Sequence, residues 1–225
     1  MPLPGITFST EIIEALPSVR LGVLTTPVKV TEGSEALGIE MDKVLAERAK
    51  DLDAEKIRNL QPVKAAKVAY KALGKDPNRY RSAAESLLRR VSKGKGLYRV
   101  NNVVDCLNLA SVQTGFSICG YDLDKIEGDI VLGIGNPDEP YEGIGRGRLN
   151  IENLPVFRDH SGAFGTPTSD SGRTLIDRET QNVLMIIPSF DGTNEQLTRA
   201  LAVLSDLLKR FVEKADPETN IIDSQ

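Results

Sequence analysis

In much of the first half of the chain, apolar residues recur with a helical period. In the second half they occur in short runs. Residues 19–30 are rich in β-branched side chains and end at a polar turn, which predicts a strand. Ala, Lys, Glu and Leu dominate residues 41–74 and predict helix. A capping box at 82–85 predicts a helix over 82–92, and helical spacing predicts another over 101–113.

After Gly120, short apolar runs alternate with Gly, Pro and Asp, which is typical of strands. Strands are predicted at 130–134, 149–151, 156–158, 174–177 and 183–187. A hairpin-type connection joins the last two, and an amphipathic helix over 195–214 packs on the sheet. These elements predict one α+β domain over 1–216, with a mixed or antiparallel sheet packed against helices. The polar residues 217–225 predict a frayed tail.

Charge and composition narrow the class of protein. The 225 residues are 40% hydrophobic, which excludes wholesale disorder. The formal net charge of -4 excludes a protein that coats nucleic acid through bulk charge. We therefore expect no DNA partner, and any contact with RNA must be local.

The sequence lacks several patterns that would indicate a membrane protein, a secreted protein or a cofactor. No apolar run reaches the ~20 residues that span a bilayer, and the first residues lack a secretory pattern, so we expect no membrane association. Two cysteines, Cys106 and Cys119, are too few for a disulfide scaffold, which predicts a reduced cytoplasmic protein. Besides the two cysteines, His160 is the one residue of the sequence that commonly binds a transition metal through nitrogen or sulfur. We therefore expect neither a metal nor another cofactor.

Local basic density is highest around a Gly-containing turn that follows the capping-box helix, beside Tyr98. Such a patch could contact several phosphates and stack one base. The alternative is a solvated helix end, where the helix dipole favours cations. The residues of this candidate nucleic-acid surface are Arg89, Arg90, Lys93, Lys95 and Arg99.

Polar residues on the helix that follows form a candidate ligand-binding face. Asn101, Asp105 and Asn108 are spaced i, i+4, i+7, and Asn102 adjoins them. Amides and a carboxylate together can bind a small polar ligand. Asn101 or Asn102 could equally cap the helix, and Asp105 and Asn108 could belong to a solvated face.

A second polar group lies late in the chain, where TSDSGRT enters an apolar run. It could line a pocket or form an Asx-type turn. Its candidate site residues are Asp170, Ser171, Arg173 and Thr174. Because the single histidine is beside turn residues, no Ser-His-Asp triad can be assembled.

Three motifs resemble a known family. NNVVDCLNLAS, YDLDKIEGDIVL and ETQNVL occur in this order within residues 82–191. They are similar to the editing module of the bacterial phenylalanyl-tRNA synthetase β chain, the B3/B4 domain, in its free-standing form. The resemblance implies an α+β fold that binds the aminoacylated acceptor end of tRNA, and that in the synthetase hydrolyses tyrosine mischarged onto its tRNA. The resemblance also implies that Glu85 belongs to the polar pocket.

The chain departs from the synthetase module at two positions. Cys119 stands where the module has a histidine, and an acidic position of the module aligns near Ile186. The sequence therefore leaves two functions open. One is a module that binds the aminoacylated end of tRNA and hydrolyses mischarged aminoacyl-tRNA in trans. The other is a non-catalytic binding protein for a free amino acid or a related small metabolite.

Overall fold

The fold combines helices with two four-stranded sheets in the computed structural model, which describes residues 4–192 and 194–224. The helices are α1 (Thr10–Ala15), α2 (Glu35–Asp51), α3 (Ala54–Asn59), α4 (Gln61–Ala72), α5 (Ala83–Val91), α6 (Asn102–Thr114) and α7 (Asn194–Phe211). The strands are β1 (Ile6–Phe8), β2 (Arg20–Pro27), β3 (Cys119–Asp122), β4 (Ile130–Ile134), β5 (Glu142–Gly143), β6 (Gly147–Arg148), β7 (Pro155–Asp159), β8 (Gly162–Gly165), β9 (Asn182–Ser189) and β10 (Glu218–Asp223).

The two larger sheets differ in the direction of their strands. The central sheet has the order β10-β2-β9-β3, with each neighbouring pair antiparallel. The outer sheet has the order β1-β4-β7-β8 and is mixed, because β1 is parallel to β4. Strands β5 and β6 form a separate small hairpin. The predicted α+β class, with mixed and antiparallel sheets packed against helices, is confirmed.

The central sheet is covered on both faces. On β9, Val183 and Met185 belong to the apolar cluster shared with α2, α6 and α7. The alternate residues Leu184 and Ile186 belong to the cluster shared with the outer sheet. This two-residue alternation follows from strand geometry, and it makes β9 a continuous apolar run.

The helical region 41–74 is divided into three helices. Asp53 interrupts it by accepting hydrogen bonds from the backbone amides of Glu55 and Lys56, which caps α3. The predicted helices over 82–92 and 101–113 are confirmed as α5 and α6.

Two predicted strands are wrong. Residues 149–151 belong to no strand, because Asn150 Oδ1 accepts from the backbone amide of Glu152 and a turn follows at 152–153. Residues 172–174 form a 3₁₀ turn that precedes an irregular segment, so 174–177 makes no hairpin with β9. In both cases side-chain to backbone hydrogen bonds replace the strand ladder, which short apolar runs do not reveal.

The prediction of a frayed C-terminal tail is also wrong, because residues 218–223 form β10 on the edge of the central sheet. The segment is polar because it is an edge strand, with one side of its backbone open to water. Its two isoleucines face opposite ways. Ile221 packs against the helix-side cluster and Ile222 against the cluster between the sheets.

We expect Ile222→Ala to lower the free energy of unfolding by about 1–2 kcal/mol, because a partly buried side chain leaves the core between the sheets. Thr219→Ala, at an exposed position near the start of the same strand, should stay within about 0.5 kcal/mol of wild type. Urea denaturation followed by circular dichroism measures both. Equal, negligible effects would mean that β10 is not formed in solution.

Candidate functional site

A cavity of about 200 Å³ lies between α6, β3 and the segment that leads from β8 into the polar turn at 170–174. Its walls are mainly apolar, and both of the polar groups that the sequence singled out contribute side chains to it. The lining residues are Ala83, Val100, Val104, Leu107, Asn108, Ile118, Cys119, Gly120, Ile144, Thr166, Ser169, Asp170, Leu175 and Ile176.

Close packing of α6 on β3 shapes the cavity. A Cβ atom on Gly120 would lie 2.5 Å from Leu107 Cδ1 and 3.3 Å from Ile176 Cδ1. Only glycine at this position lets both apolar side chains approach the strand. The wall therefore depends on a residue that has no side chain.

Asn108 contributes an available amide to the cavity. It lies on α6, it is partly exposed, and its side chain makes no hydrogen bond in the described part of the chain. An amide carries two donor hydrogens and an acceptor oxygen. Asn108 is therefore free to bind a polar ligand.

Asp170 contributes a carboxyl group at the same cavity. Its Oδ2 accepts a hydrogen bond from the backbone amide of Gly120 at 3.2 Å. Its Oδ1 is buried and makes no well-formed hydrogen bond within residues 4–192 and 194–224. Burial raises the pKa of Asp170 to about 7, although the Gly120 amide and the side chains of Tyr121 and Cys119 offset part of this effect.

Cys119 lines the cavity as a neutral thiol. Burial, followed by the proximity of Asp170, raises the pKa of Cys119 well above its usual range. Its Sγ lies 3.7 Å from the carbonyl oxygen of Thr166. Because the thiolate is the nucleophilic form, this cysteine is not activated for covalent catalysis.

The mouth of the cavity is covered by the β5–β6 hairpin. The backbone amide of Ile144 donates to the carbonyl oxygen of Asp170 at 2.9 Å, and Gly143 forms a bridge with Ser171. At the tip, Gly145 and Gly147 both have φ of 66°, a left-handed conformation that favours glycine. The hairpin thus places Ile144 over the cavity, where it is 43% exposed.

The remaining predicted residues of α6 support the cavity without lining it. Asn101 caps the helix by accepting from the amide of Val104 at 2.8 Å, so its capping role holds. Asn102 bonds the backbone of residues 29 and 31, which ties the loop after β2 to α6. Asp105 accepts from the amide of Val100 at 2.9 Å and thereby positions a lining residue.

Three residues of the polar turn serve the fold directly. Ser171 accepts from the amide of Arg173 at 3.2 Å, which makes the turn that the sequence left as an alternative. Arg173 binds both carboxylate oxygens of Asp159, at 2.7 and 3.1 Å. Burial favours a raised pKa for Asp159, but hydrogen bonds from Arg173 outweigh it and hold the pKa below its usual range. Thr174 is fully buried and does not line the cavity.

Glu85 lies apart from the cavity, inside a cluster of cations. Its Oε1 is 2.8 Å from Arg89 Nε and 3.1 Å from Lys67 Nζ, and Arg81 Nε is 4.0 Å away. The carboxylate side chain is 1% exposed. Glu85 therefore joins α4 to α5. Because its one carboxylate balances one of the three cations, the cluster keeps a net positive charge.

Some of the candidate nucleic-acid residues contact other side chains of the protein, and others form no ion pair. Arg90 stacks over the ring of Tyr98 at 3.9 Å, and Tyr98 is exposed. Arg99 forms an ion pair with Asp42 at 2.8 Å. Lys93 and Lys95 are exposed and form no ion pair with any described residue.

Sequence reasoning missed the apolar walls and the hairpin. Leu107 and Ile118 are ordinary core residues in the sequence, and only the fold shows that they leave a space. A signal for Ile144 was present, because a large apolar residue stands between glycines in a turn-rich segment.

The part of the chain that the structure describes lacks both a metal-binding cluster and a membrane-spanning helix. No three His, Cys, Asp or Glu side chains come together in a group that could hold a metal ion. No helix among residues 4–192 and 194–224 is long and apolar enough to cross a membrane.

Comparison with known proteins assigns the family. A family model for the B3/4 domain matches residues 65–222, more than half of the chain. The chain belongs to the B3/4 domain family. The matched region begins earlier and ends later than the motifs at 82–191, and it includes most of β10.

Relatives of this B3/4 protein include subunits of a synthetase. The phenylalanine–tRNA ligase beta subunit of Fusobacterium nucleatum subsp. nucleatum is 28% identical over 130 residues, which cover 56% of this chain and 16% of that protein. The same subunit of Leifsonia xyli subsp. xyli is 31% identical over 130 residues, covering 56% and 15%. The chain thus spans about a sixth of these relatives. An N-terminal fragment of the phenylalanyl-tRNA synthetase beta subunit from Pyrococcus horikoshii has a TM-score of 0.47 and 11% identity, covering 95% of this chain and 50% of that one.

We expect Arg173→Met to lower the free energy of unfolding by about 3 kcal/mol, because it leaves the buried carboxylate of Asp159 without its cation. The matched control is Arg178→Met, which removes an exposed pair with Glu32 and should change stability by less than about 1 kcal/mol. Chemical denaturation at neutral pH measures both. A stable Arg173→Met protein that loses ligand binding would instead make Arg173 a ligand-contacting residue.

Proposed function

We propose that this B3/4 protein binds the aminoacylated 3′ end of tRNA, with the aminoacyl group in the Asn108–Asp170 cavity, and hydrolyses the ester. The observation that carries the proposal is the convergence of one free amide and one carboxyl on a mainly apolar cavity in a member of this family. A small aminoacyl group has the matching chemistry, because it joins an apolar side chain to a polar ester and an amine.

The cavity supports hydrolysis without a protein nucleophile. Water would add to the acyl carbon, the bond to the ribose oxygen would break, and the released proton would return to that oxygen. The neighbouring ribose hydroxyl can orient the water, and the Asn108 amide can donate to the developing oxyanion. The buried neutral Cys119 takes no part in this scheme.

One observation favours the second candidate, a non-catalytic protein that binds a free amino acid or a related metabolite. Cys119 pairs directly with Ile186 across β3 and β9, and both side chains are buried and uncharged. The resemblance places a histidine and an acidic residue of the synthetase module at about these positions. A member without either group can bind a ligand without reacting with it.

The charge distribution supports an RNA partner. From Lys56 to Arg99 the chain has thirteen Lys and Arg but two Asp and Glu, against a net charge of -4 overall. This segment comprises α3 from its first turn, α4, α5 and the turn before α6. Ala83, at the start of α5, lines the cavity, so the basic segment reaches the site. A strand of phosphates could follow it to the cavity.

We expect Lys93→Gln combined with Lys95→Gln to flatten the salt dependence of tRNA binding by about one to two units of slope. Each phosphate contact on a single strand contributes roughly 0.7. The control is Lys43→Gln combined with Lys50→Gln, which removes the same charge from exposed positions of α2 outside the segment. Fluorescence anisotropy over a salt series measures the slope. Equal slopes in both double variants would contradict this route for the RNA.

We expect tRNA charged with alanine or valine to be deacylated faster than its spontaneous rate. Asn108→Ala should lower the rate by about 100-fold, as loss of an oxyanion donor does. Cys119→Ala should change it by less than about threefold, and Asn59→Ala supplies the exposed amide control. Release of radiolabelled amino acid measures all four proteins. If no charged tRNA binds while a free amino acid raises the Tm, the editing proposal fails and the metabolite-binding candidate stands.

A further inference from the structure

The cavity holds a carboxyl group that has no cation to balance it. Among the described residues that line it, Asp170 is the ionisable carboxyl, and none is Lys, Arg or His. The nearest arginine along the chain, Arg173, is held by Asp159. An ionised Asp170 is therefore an uncompensated charge in a largely apolar space.

The titratable groups packed around Asp170 do not supply the missing charge. Cys119 and Tyr121 on β3, and Tyr141 before β5, are its neighbours. Burial raises the pKa of each of these three groups, and Asp170 raises it further, so all three remain neutral. The Tyr121 hydroxyl is itself buried without a well-formed hydrogen bond in the described structure.

A buried carboxylate without a cation beside it is unfavourable, so the group either keeps its proton or is stabilised when a cation binds. The second route needs a ligand that carries a positive charge into the cavity. An aminoacyl ester has one such group, the α-ammonium beside the ester carbon. A peptidyl or formylated ester has lost it.

We propose that Asp170 binds the free α-ammonium group of the acyl moiety, so that the cavity accepts aminoacyl esters and rejects their N-acylated counterparts. This inference rests on the proposed function and specifies its substrate class. Asn108 lies on the other wall and then faces the ester. The apolar residues that line the cavity, among them Leu107 and Ile176, contact the side chain of the acyl moiety, which is uncharged. A charged side chain would find no second partner among the residues that line the cavity.

The pairing has a defined pH dependence. Below about pH 7 Asp170 takes up a proton and loses its charge, which weakens binding. Above roughly pH 8 the α-amino group of the ligand loses its own proton. Binding should therefore be strongest between these values, and the pKa of Asp170 should fall when the ligand binds. At pH 6.5 binding then releases protons to the buffer.

The experiment uses a stable pair of probes, 3′-alanylamino-3′-deoxyadenosine and the same compound with an acetylated amine. Isothermal titration calorimetry compares them on the 225-residue chain at pH 7.5, and repeats the free amine at pH 6.5 in buffers of different ionisation enthalpy. Asp170→Asn is the test variant and Asp51→Asn, exposed at the end of α2, is the control. Thermal unfolding verifies that both variants fold.

Three results would support the inference. Wild type binds the free amine at least tenfold tighter than the acetylated probe, Asp170→Asn removes most of this preference, and wild type releases protons when it binds the free amine at pH 6.5. The proton release needs only the wild-type protein, so it stands even if the variant unfolds.

Other outcomes separate the two proposals. Equal binding of both probes overturns the role of Asp170 and leaves ester binding intact. If neither probe binds but alanine methyl ester does and its N-acetyl form does not, the ammonium inference holds while the tRNA proposal fails. No binding of any of the four compounds overturns both.

Discussion

Burial of β9 on both faces is the constraint on which the rest of the structure depends. Because the strand has a helix layer on one side and a second sheet on the other, every residue from Val183 to Ile187 must be apolar. The constraint extends to neighbouring β3, where Cys119 opposite Ile186 is buried and neutral. The polar groups of the candidate site therefore lie in the layers that flank the central sheet, with Asn108 on α6 and Asp170 on the turn at 170–174.

Sequence patterns predicted the elements whose stability is local. The capping box, the spacing in α6 and the β-branched run of β2 are signals within one segment, and all three elements form. The pairing of β10 with β2 could not be predicted, because Ile221 and Ile222 are separated from their partners by almost the whole chain. The strands predicted at 149–151 and 174–177 are wrong for the opposite reason. The side chains of Asn150 and Ser171 each accept a hydrogen bond from the backbone amide two residues later, which turns the chain locally.

The candidate site was predicted by residue type but not by role. Asn108 and Asp170 do meet at one cavity, whereas Asn101, Asn102 and Asp105 hold the backbone around it. A polar residue in a motif can bind the ligand or position the residues that do. Spacing on a helix gives the face but not the partner, because the partners of Asn102 and Asp105 lie in loops whose path the pattern does not contain.

Positive and negative residues are unevenly distributed along the chain, and this affects how a charged partner approaches the protein before contact. The segment 56–99 contains thirteen Lys and Arg against two Asp and Glu, whereas the whole chain has a net charge of -4. A cationic region attracts a polyanion and an anionic region repels it, so an uneven charge distribution orients a polyanion before contact. The helices α4 and α5, which lie in the cationic segment, are the elements toward which such a partner would be drawn. Raising the ionic strength shortens the distance over which this alignment acts, so the rate of association falls before the strength of the final contacts does.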